Sequence, residues 1–354
     1  MLVFIVRRLL ILPIIMFFVT VILFSLLLKI PPEERAEVYM PSVRGSIRAE
    51  ERAAMIEKII DRYGLDEPFH IQYGKWLGNL FSGEWGYSPT WQQPVLEGLL
   101  RRAPASVELA VAAMVPAVIL ALTFGGISAK RYNQFPDHVI RSIAFIGWAF
   151  PSFILGLILL TILYAWLNWF PPERISMWVR PILQEGGFRT FTGMLTIDAL
   201  LNGNLKIFAD ALRHLVLPAL TLSFGYWGLF TRLMRSSLVQ VLSEEFITTA
   251  RAKGLAERRV VNRHARRNAI LPLISTGGVT VSLLISGVVV VEAVFNFDGI
   301  GRGAVEAMLN GDVPAIIGFT IFTCLVTVIA SLIADIFYAI VDPRIRLIQE
   351  SEIQ

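Results

Sequence analysis

Uncharged apolar runs interrupt this 354-residue chain, and they restrict the possible folds more than any other feature. The first run, residues 9–28, follows Arg7 and Arg8 and would be roughly 30 Å long as a helix. That length matches the hydrocarbon core of a bilayer. Charged residues make up 17% of the chain, against about 25% in ordinary soluble domains. We therefore expect an all-α membrane protein.

Six apolar runs predict six transmembrane helices, at residues 9–28, 105–129, 142–168, 215–230, 272–294 and 313–334. Pro151 lies in the third run, where we expect a kink that neighbouring helices tolerate. A cleaved signal peptide is the alternative interpretation of the first run. That run is too long for a signal peptide, and no small-x-small cleavage pattern precedes Lys29.

Basic residues are distributed unequally among the segments that connect these runs. The two ends of the chain and residues 130–141 and 231–272 together hold 16 Lys and Arg against seven acidic residues. The other segments hold more acidic than basic residues. Because Lys and Arg near membrane spans stay on the cytoplasmic side, both termini are predicted to be cytoplasmic.

This arrangement predicts three parts of the chain. Residues 1–29 would form the first transmembrane helix, and residues 30–104 an extracytoplasmic loop domain that contains an amphipathic helix at 50–63. Residues 105–354 would form a core of five transmembrane helices with a cytoplasmic loop at 232–271.

The run 231–272 is the most basic part of the chain, with nine basic and three acidic residues. Its pattern predicts two helical pieces, 245–253 and 256–267, that are separated by Gly254. Glycine ends helices because it tolerates positive φ. Two short helices that meet at a glycine form a protrusion that another protein can bind.

The run TARAKGL, which ends at Leu255, resembles a motif of the inner-membrane permease subunits of ATP-binding-cassette importers, in the dipeptide, oligopeptide and nickel branch. In that family the glycine-centred loop is the coupling helix that docks into the ATPase subunit. The resemblance assigns docking to Thr248, Thr249, Ala250, Arg251, Ala252, Lys253, Gly254 and Leu255. The family often carries Glu-Ala-Ala before the glycine; the matching residues here begin with Thr248, so the acidic residue is absent.

The run 292–314 is also similar to this family, whose fifth and sixth spans are joined by a glycine-rich outer hairpin ending in Asp-x-Pro. Glu292, Phe295 and Asp298 are therefore expected at the outer gate of the substrate pathway. Glu108, Glu292 and Asp335 are the acidic residues within the predicted spans, and such residues are candidates for function. Each lies within about two turns of an interface, so snorkelling or helix capping is the alternative.

The resemblance implies a heterodimer with a related permease, two ABC ATPase subunits, an extracytoplasmic substrate-binding protein and surrounding membrane lipid, without nucleic acid. ATP and Mg would be bound by the partner subunits, because this chain has no phosphate-binding loop: Trp76 follows its only Gly-Lys pair. The four histidines are scattered, and Cys324 is the single cysteine. We expect a non-catalytic subunit of the cell membrane without its own metal or cofactor.

Peptides are the expected substrate, while nickel, glutathione and oligosaccharides stay open within the same family. Two other classes also stay open. An ion-coupled secondary carrier would keep charged or broken-helix sites near the bilayer midplane. A membrane anchor would use the basic loop only to bind anionic lipid.

Overall fold

The computed structural model describes residues 2–37, 49–185 and 187–341. The predicted cytoplasmic end of the chain beyond residue 341 lies outside the described residues, as does the side chain of Asp335. The α-helices are α1 Leu2–Leu27, α2 Pro32–Glu37, α3 Ala49–Tyr63, α4 Phe69–Phe81, α5 Val95–Lys130, α6 Phe135–Ala149, α7 Ser152–Leu159, α8 Val179–Gln184, α9 Leu195–Leu201, α10 Leu205–Leu242, α11 Glu245–Ala252, α12 Glu257–Arg259, α13 Arg266–Ala269, α14 Leu271–Phe295, α15 Ile300–Leu309 and α16 Val313–Val341.

Two π-helical segments, Leu160–Trp166 and Val260–Ala265, continue α7 and α12. The described residues also contain two short antiparallel strands, β1 Tyr87–Ser88 and β2 Gln93–Pro94. The chain divides into two compact units, one made of residues 3–100 with 306–325 and the other mainly of residues 101–305.

Four helices of the described residues, α1, α5, α10 and α16, are long and apolar enough to cross a membrane. A fifth crossing exists if α6 and α7 count as one broken span. The predicted fifth span at 272–294 corresponds to α14, part of whose side chains lie outside the described residues. The structure is thus mostly helical, as expected for a membrane protein.

The bend predicted at Pro151 is confirmed, and it is a break in the helix rather than a kink. The two halves, Phe135–Ala149 and Ser152–Trp166, are bent by 102°. Phe150 is extended, with φ −85° and ψ 124°. The ring of a proline disfavours the helical conformation of the residue before it, which explains an extended Phe150.

The helix that contains the predicted fourth span, 215–230, extends well beyond it at both ends. Helix α10 has 38 residues, about 57 Å, and begins at Asn204, whose side-chain oxygen accepts a hydrogen bond from the backbone N–H of Ile207 at 3.1 Å. The predicted span ended at the flanking charges Arg213 and Arg232. The helix continues past both, so the start of the predicted loop 232–271 is helical.

In the unit that holds residues 3–100, aromatic rings join α1 to α4. The ring of Phe24 lies 5.7 Å from Phe69, 5.6 Å from Tyr73 and 5.1 Å from Trp76, centroid to centroid. The hydroxyls of Thr20 and Tyr73 are 2.9 Å apart. Helix α4 therefore packs along α1. Separately, the predicted amphipathic helix at 50–63 is confirmed as α3.

In the other unit, α10 packs tightly against α6 through two glycines. A Cβ atom on Gly228 would lie 2.4 Å from the carbonyl oxygen of Ala144, and one on Gly147 would lie 2.9 Å from that of Phe224. Small residues let helix backbones approach closely in membranes. This contact holds α6 against α10, the helix that precedes α11.

Buried acidic residues organise the segment between α7 and α10. The carboxylate of Glu108 accepts hydrogen bonds from the Arg174 guanidinium at 2.8 Å and from the backbone N–H and hydroxyl of Thr196 at 2.7 and 2.6 Å. Thr196 lies in the first turn of α9, where a carboxylate satisfies free N–H groups. Glu108 therefore caps a helix and does not snorkel.

Candidate functional site

The predicted pair of short helices follows α10 directly. Helix α11 covers Glu245–Ala252, and a second helical arm runs from Glu257 to Ala269 through α12, a π-helical turn and α13. Gly254 lies between the arms with φ +73°, a left-handed conformation that glycine adopts at little cost. The predicted break between two helical pieces at Gly254 is confirmed.

Backbone hydrogen bonds define the turn at Gly254. Its N–H donates to the carbonyl of Arg251 at 2.9 Å, and the N–H of Leu255 donates to the carbonyl of Ala250 at 3.4 Å. This pair of bonds is the Schellman arrangement, which satisfies the last carbonyls of a helix and reverses the chain. The turn is therefore specified locally by the glycine.

One side of the two arms is buried. The fully buried Ile247 and the nearly buried Ala250 of α11 pack with Val260, Val261 and Ala265 of the second arm. These residues share an apolar cluster with Met234 and Leu238 at the end of α10, and Leu255 packs against it. The arms are thus seated on the long helix α10 and would move with it.

The opposite side of the arms is exposed. A Cβ atom on Gly254 would meet no atom within 4 Å. Six of the eight residues predicted to dock are exposed: Thr248, Thr249, Arg251, Ala252, Lys253 and Gly254. The other two, Ala250 and Leu255, are buried and half-buried, so they support the surface from below. We call this exposed surface, with Phe246, the docking surface.

Phe246 was missed by the sequence analysis. Its side chain is 43% exposed, beside the buried Ile247. An apolar residue next to the buried stripe of an otherwise polar helix is a signal that could have identified it. Large aromatic side chains often anchor protein interfaces.

An ion pair connects the two arms across the turn. The guanidinium of Arg251 donates two hydrogen bonds to the carboxylate of Glu257, at 2.8 and 3.1 Å. These hydrogen bonds hold the pKa of Glu257 below its usual value. The pair is solvent-exposed, so it sets the geometry of the arms more than their stability.

A second ion pair, also missed from sequence, lies where α10 approaches the turn between α5 and α6. Asp137 is fully buried and accepts two hydrogen bonds from Arg235, at 2.6 and 2.7 Å. The backbone N–H of Asn133 donates to the same carboxylate at 2.9 Å, and the Ser128 hydroxyl also donates to it. The pair joins α6 to the part of α10 that carries the docking surface.

Glu292, predicted at the outer gate, is fully buried. Its carboxylate accepts hydrogen bonds from the Ser106 hydroxyl at 2.5 Å and from the backbone N–H groups of Gly301 and Arg302 at 2.7 and 3.1 Å. Gly301 and Arg302 lie in the first turn of α15, so Glu292 stabilises a helix N-terminus. The side chain therefore caps a helix and does not snorkel, and its assignment to the substrate pathway stays a prediction.

The other two predicted gate residues differ in exposure. Phe295 is fully buried in an apolar cluster with Leu109, Leu222 and Val291. The side chain of Asp298 is 53% exposed, and its Oδ1 lies 3.4 Å from the Arg102 Nε. Of the three residues, only Asp298 presents much of its side chain to the surroundings.

Comparisons with known proteins identify the family. Residues 121–347 match the family described as "Binding-protein-dependent transport system inner membrane component", and residues 1–110 match the N-terminal part of such components. The oligopeptide transport system permease protein AppB of Bacillus subtilis is 39% identical over 290 residues, covering 82% of this chain and 84% of the relative.

Two further relatives cover nearly the full length. The di/tripeptide transport system permease protein DppB of Pseudomonas aeruginosa is 35% identical over 346 residues, 98% of this chain and 99% of the relative. The dipeptide transport system permease protein DppB of Escherichia coli is 32% identical over 328 residues, 93% and 94% respectively. The sequence resemblance stated above is confirmed: the chain belongs to the inner membrane components of binding-protein-dependent transport systems, the permease subunits of ABC importers.

Proposed function

We propose that this permease subunit imports peptides and couples their passage to ATP hydrolysis through the docking surface around Gly254. The observation that carries the coupling role is the geometry of this surface: a small, basic, exposed turn on an apolar base that is continuous with α10. Any force on the turn acts on a helix of 38 residues. Closure of an ATPase dimer could therefore tilt α10 and bias a two-state equilibrium between inward and outward access.

The peptide assignment rests on relatives whose names specify oligopeptide, di/tripeptide and dipeptide transport. These relatives are 32–39% identical and their names share the peptide class but differ in peptide length, so we propose the class alone. Nickel, glutathione and oligosaccharides were the alternatives from sequence. Competition of nickel, glutathione or an oligosaccharide with a labelled peptide for uptake distinguishes these four substrate classes.

In the proposed assembly, a related permease forms the other half of the pathway, two ATPase subunits bind the docking surfaces, and a binding protein delivers the peptide. ATP and Mg are bound by the ATPase subunits, and this chain forms no covalent bond in the cycle. We also propose six spans with both termini inside, formed by α1, α5, the broken pair α6 and α7, α10, α14 and α16.

The experiment that tests the function is peptide uptake into proteoliposomes that contain the assembled transporter, with ATP inside and loaded binding protein outside. Uptake should need both ATP and the binding protein. Uptake driven by an ion gradient without ATP would show a secondary carrier instead and contradict the proposal.

The topology has its own test in a Cys324→Ser background. Single cysteines at the exposed positions Ser82 and Thr190 should react with an impermeant thiol reagent from outside, and one at the exposed Ser243 should not. Reaction of the cysteine at 243 from outside would reject the six-span arrangement.

A further inference from the structure

A cavity of about 690 Å³ lies between α6 and α10, and neither the docking surface nor the predicted gate uses it. It belongs to the unit of residues 101–305. The residues of its lining that matter here are His138, Arg141, Trp148, Thr231, Arg232 and Arg235.

The lining is positively charged. It contains three arginines and no acidic side chain. The charge of Arg235 is balanced by Asp137 behind it. For Arg141 and Arg232 the described part of the chain offers no acidic partner within ion-pair distance, so two guanidinium charges face the cavity unbalanced.

Trp148 and Thr231 add two further recognition features. The guanidinium carbon of Arg232 lies 5.7 Å from the centroid of the Trp148 ring, a cation–π contact that orients the arginine. The Thr231 hydroxyl is buried, and within the described ranges it has no hydrogen-bond partner. Buried hydroxyls are almost always hydrogen-bonded, so we expect an oxygen of a ligand or of water in the cavity to be the partner of this hydroxyl.

The rim of the cavity is apolar and exposed. Phe145 and Ile146 line the cavity from α6 and are 67% and 54% exposed. In a membrane protein such a surface contacts lipid chains or another subunit. Its position beside unbalanced arginines matches an amphiphile with an anionic head and an apolar tail.

We propose that this cavity binds the phosphate headgroup of an anionic phospholipid, with Arg141 and Arg232 on the phosphate and an acyl chain along Phe145 and Ile146. Guanidinium groups suit phosphate because their N–H donors match its oxygens. Basic pockets between membrane helices recognise anionic headgroups in this way. The proposal requires only that the chain is a membrane subunit, so it is independent of the peptide assignment.

The test uses the assembled transporter in nanodiscs of equal parts phosphatidylglycerol and phosphatidylcholine. The transporter is then released from the nanodiscs, and native mass spectrometry measures which lipids stay bound to it. The parent should retain phosphatidylglycerol selectively, and Arg141→Gln/Arg232→Gln should reduce this selectivity about tenfold or more. Arg141→Lys/Arg232→Lys keeps both charges and should retain part of it, which separates loss of charge from misfolding.

Arg101→Gln/Arg189→Gln is the matched control, because it removes the same charge from two exposed arginines outside the cavity. It should leave the selectivity unchanged. Equal selectivity in Arg141→Gln/Arg232→Gln and the control would overturn the proposal.

Two other results would also overturn it. In the first, inorganic phosphate and phosphatidylglycerol are each added to the parent in phosphatidylcholine nanodiscs, and the stability against heating is measured. If phosphate stabilises the parent and phosphatidylglycerol does not, the ligand is a free anion. If a cysteine at Phe145 forms a high-yield crosslink to the companion permease, the cavity is a subunit interface.

Discussion

Arg251 and Glu257 form a two-point ion pair across the turn at Gly254, with nitrogen–oxygen distances of 2.8 and 3.1 Å. Because the two residues lie on different helical arms, the pair fixes the angle between them. Both side chains are about half exposed, at 44% and 60%. An exposed pair contributes about 0.2–1 kcal/mol, so the turn should survive its loss.

We therefore expect Glu257→Gln to lower binding-protein-stimulated ATP hydrolysis by less than about fivefold. The pKa of Glu257 is lowered, so the pair is complete above the usual glutamate pKa and is lost only as the pH falls through the lowered value. The pH profiles of hydrolysis of the parent and Glu257→Gln should thus have the same shape between about pH 6 and about pH 8. Profiles that diverge in this range would contradict the assignment of a simple exposed pair.

Gly254 should tolerate Asn but not Val. Its φ of +73° is accessible to Asn, whereas a β-branched residue there is strained by about 1–3 kcal/mol. No atom of this chain would touch an added Cβ, so within this subunit the difference between the variants reports backbone conformation. Stimulated ATP hydrolysis should fall in Gly254→Val and stay near the parent in Gly254→Asn; equal activity of the two would argue against a hinge at this position.

Removing one partner of the Asp137–Arg235 pair should be strongly destabilising, because Asp137 is fully buried. Arg235→Gln leaves a buried carboxylate that retains the hydrogen bonds from Ser128 and Asn133, so we expect a cost of about 3 kcal/mol, the lower end for breaking a buried pair. Scanning fluorimetry of the purified transporter should show a clearly lower Tm.

Two variants control this measurement. Arg101→Gln removes an exposed guanidinium elsewhere in the same unit and should change the Tm little. Asp137→Asn/Arg235→Gln removes both charges and should be less destabilised than Arg235→Gln alone. A double variant that is as unstable as the sum of its two single variants would show that the two residues do not act as a pair.

Glu292 should behave as a structural residue. Glu292→Ala leaves the Ser106 hydroxyl and the N–H groups of Gly301 and Arg302 without their acceptor, and unsatisfied buried groups cost about 1–3 kcal/mol each. We expect less assembled transporter on size-exclusion chromatography, with a smaller loss in Glu292→Gln, which keeps one oxygen.

The remaining transporter should import cationic and neutral peptides with equal losses. If Glu292→Gln instead assembles normally and loses import of cationic peptides selectively, the carboxylate meets substrate in another state of the cycle. That result would restore the pathway role predicted from sequence.

Features with local signals were predictable from the sequence. The hinge at Gly254, the two helical arms and helix α3 depend on glycine chemistry and on helical periodicity within a few residues. The membrane class followed from uncharged runs, which need no knowledge of tertiary contacts. The family resemblance added the docking role.

Long-range pairings were not predictable in this way. Asp137 and Arg235 are 98 residues apart in sequence, and Ser106 and Glu292 are 186 apart. Nothing in the spacing of these residues indicates that they meet. The length of α10 was underestimated for a different reason: a helix can carry charges beyond the hydrocarbon, so the first arginine does not mark its end.

The most direct test of the central claim, that the docking surface transmits ATPase closure to this permease, is binding-protein-stimulated ATP hydrolysis by the transporter with Ala252→Trp. Ala252 is exposed in the last turn of α11, and a bulky residue in a packed interface costs about 1–3 kcal/mol, or about 5- to 150-fold in docking. Ala54→Trp places the same residue on the exposed side of α3 and is the matched control. We expect stimulated hydrolysis and peptide uptake to fall at least about fivefold in Ala252→Trp and not in Ala54→Trp. Full stimulation and uptake in Ala252→Trp would contradict this claim.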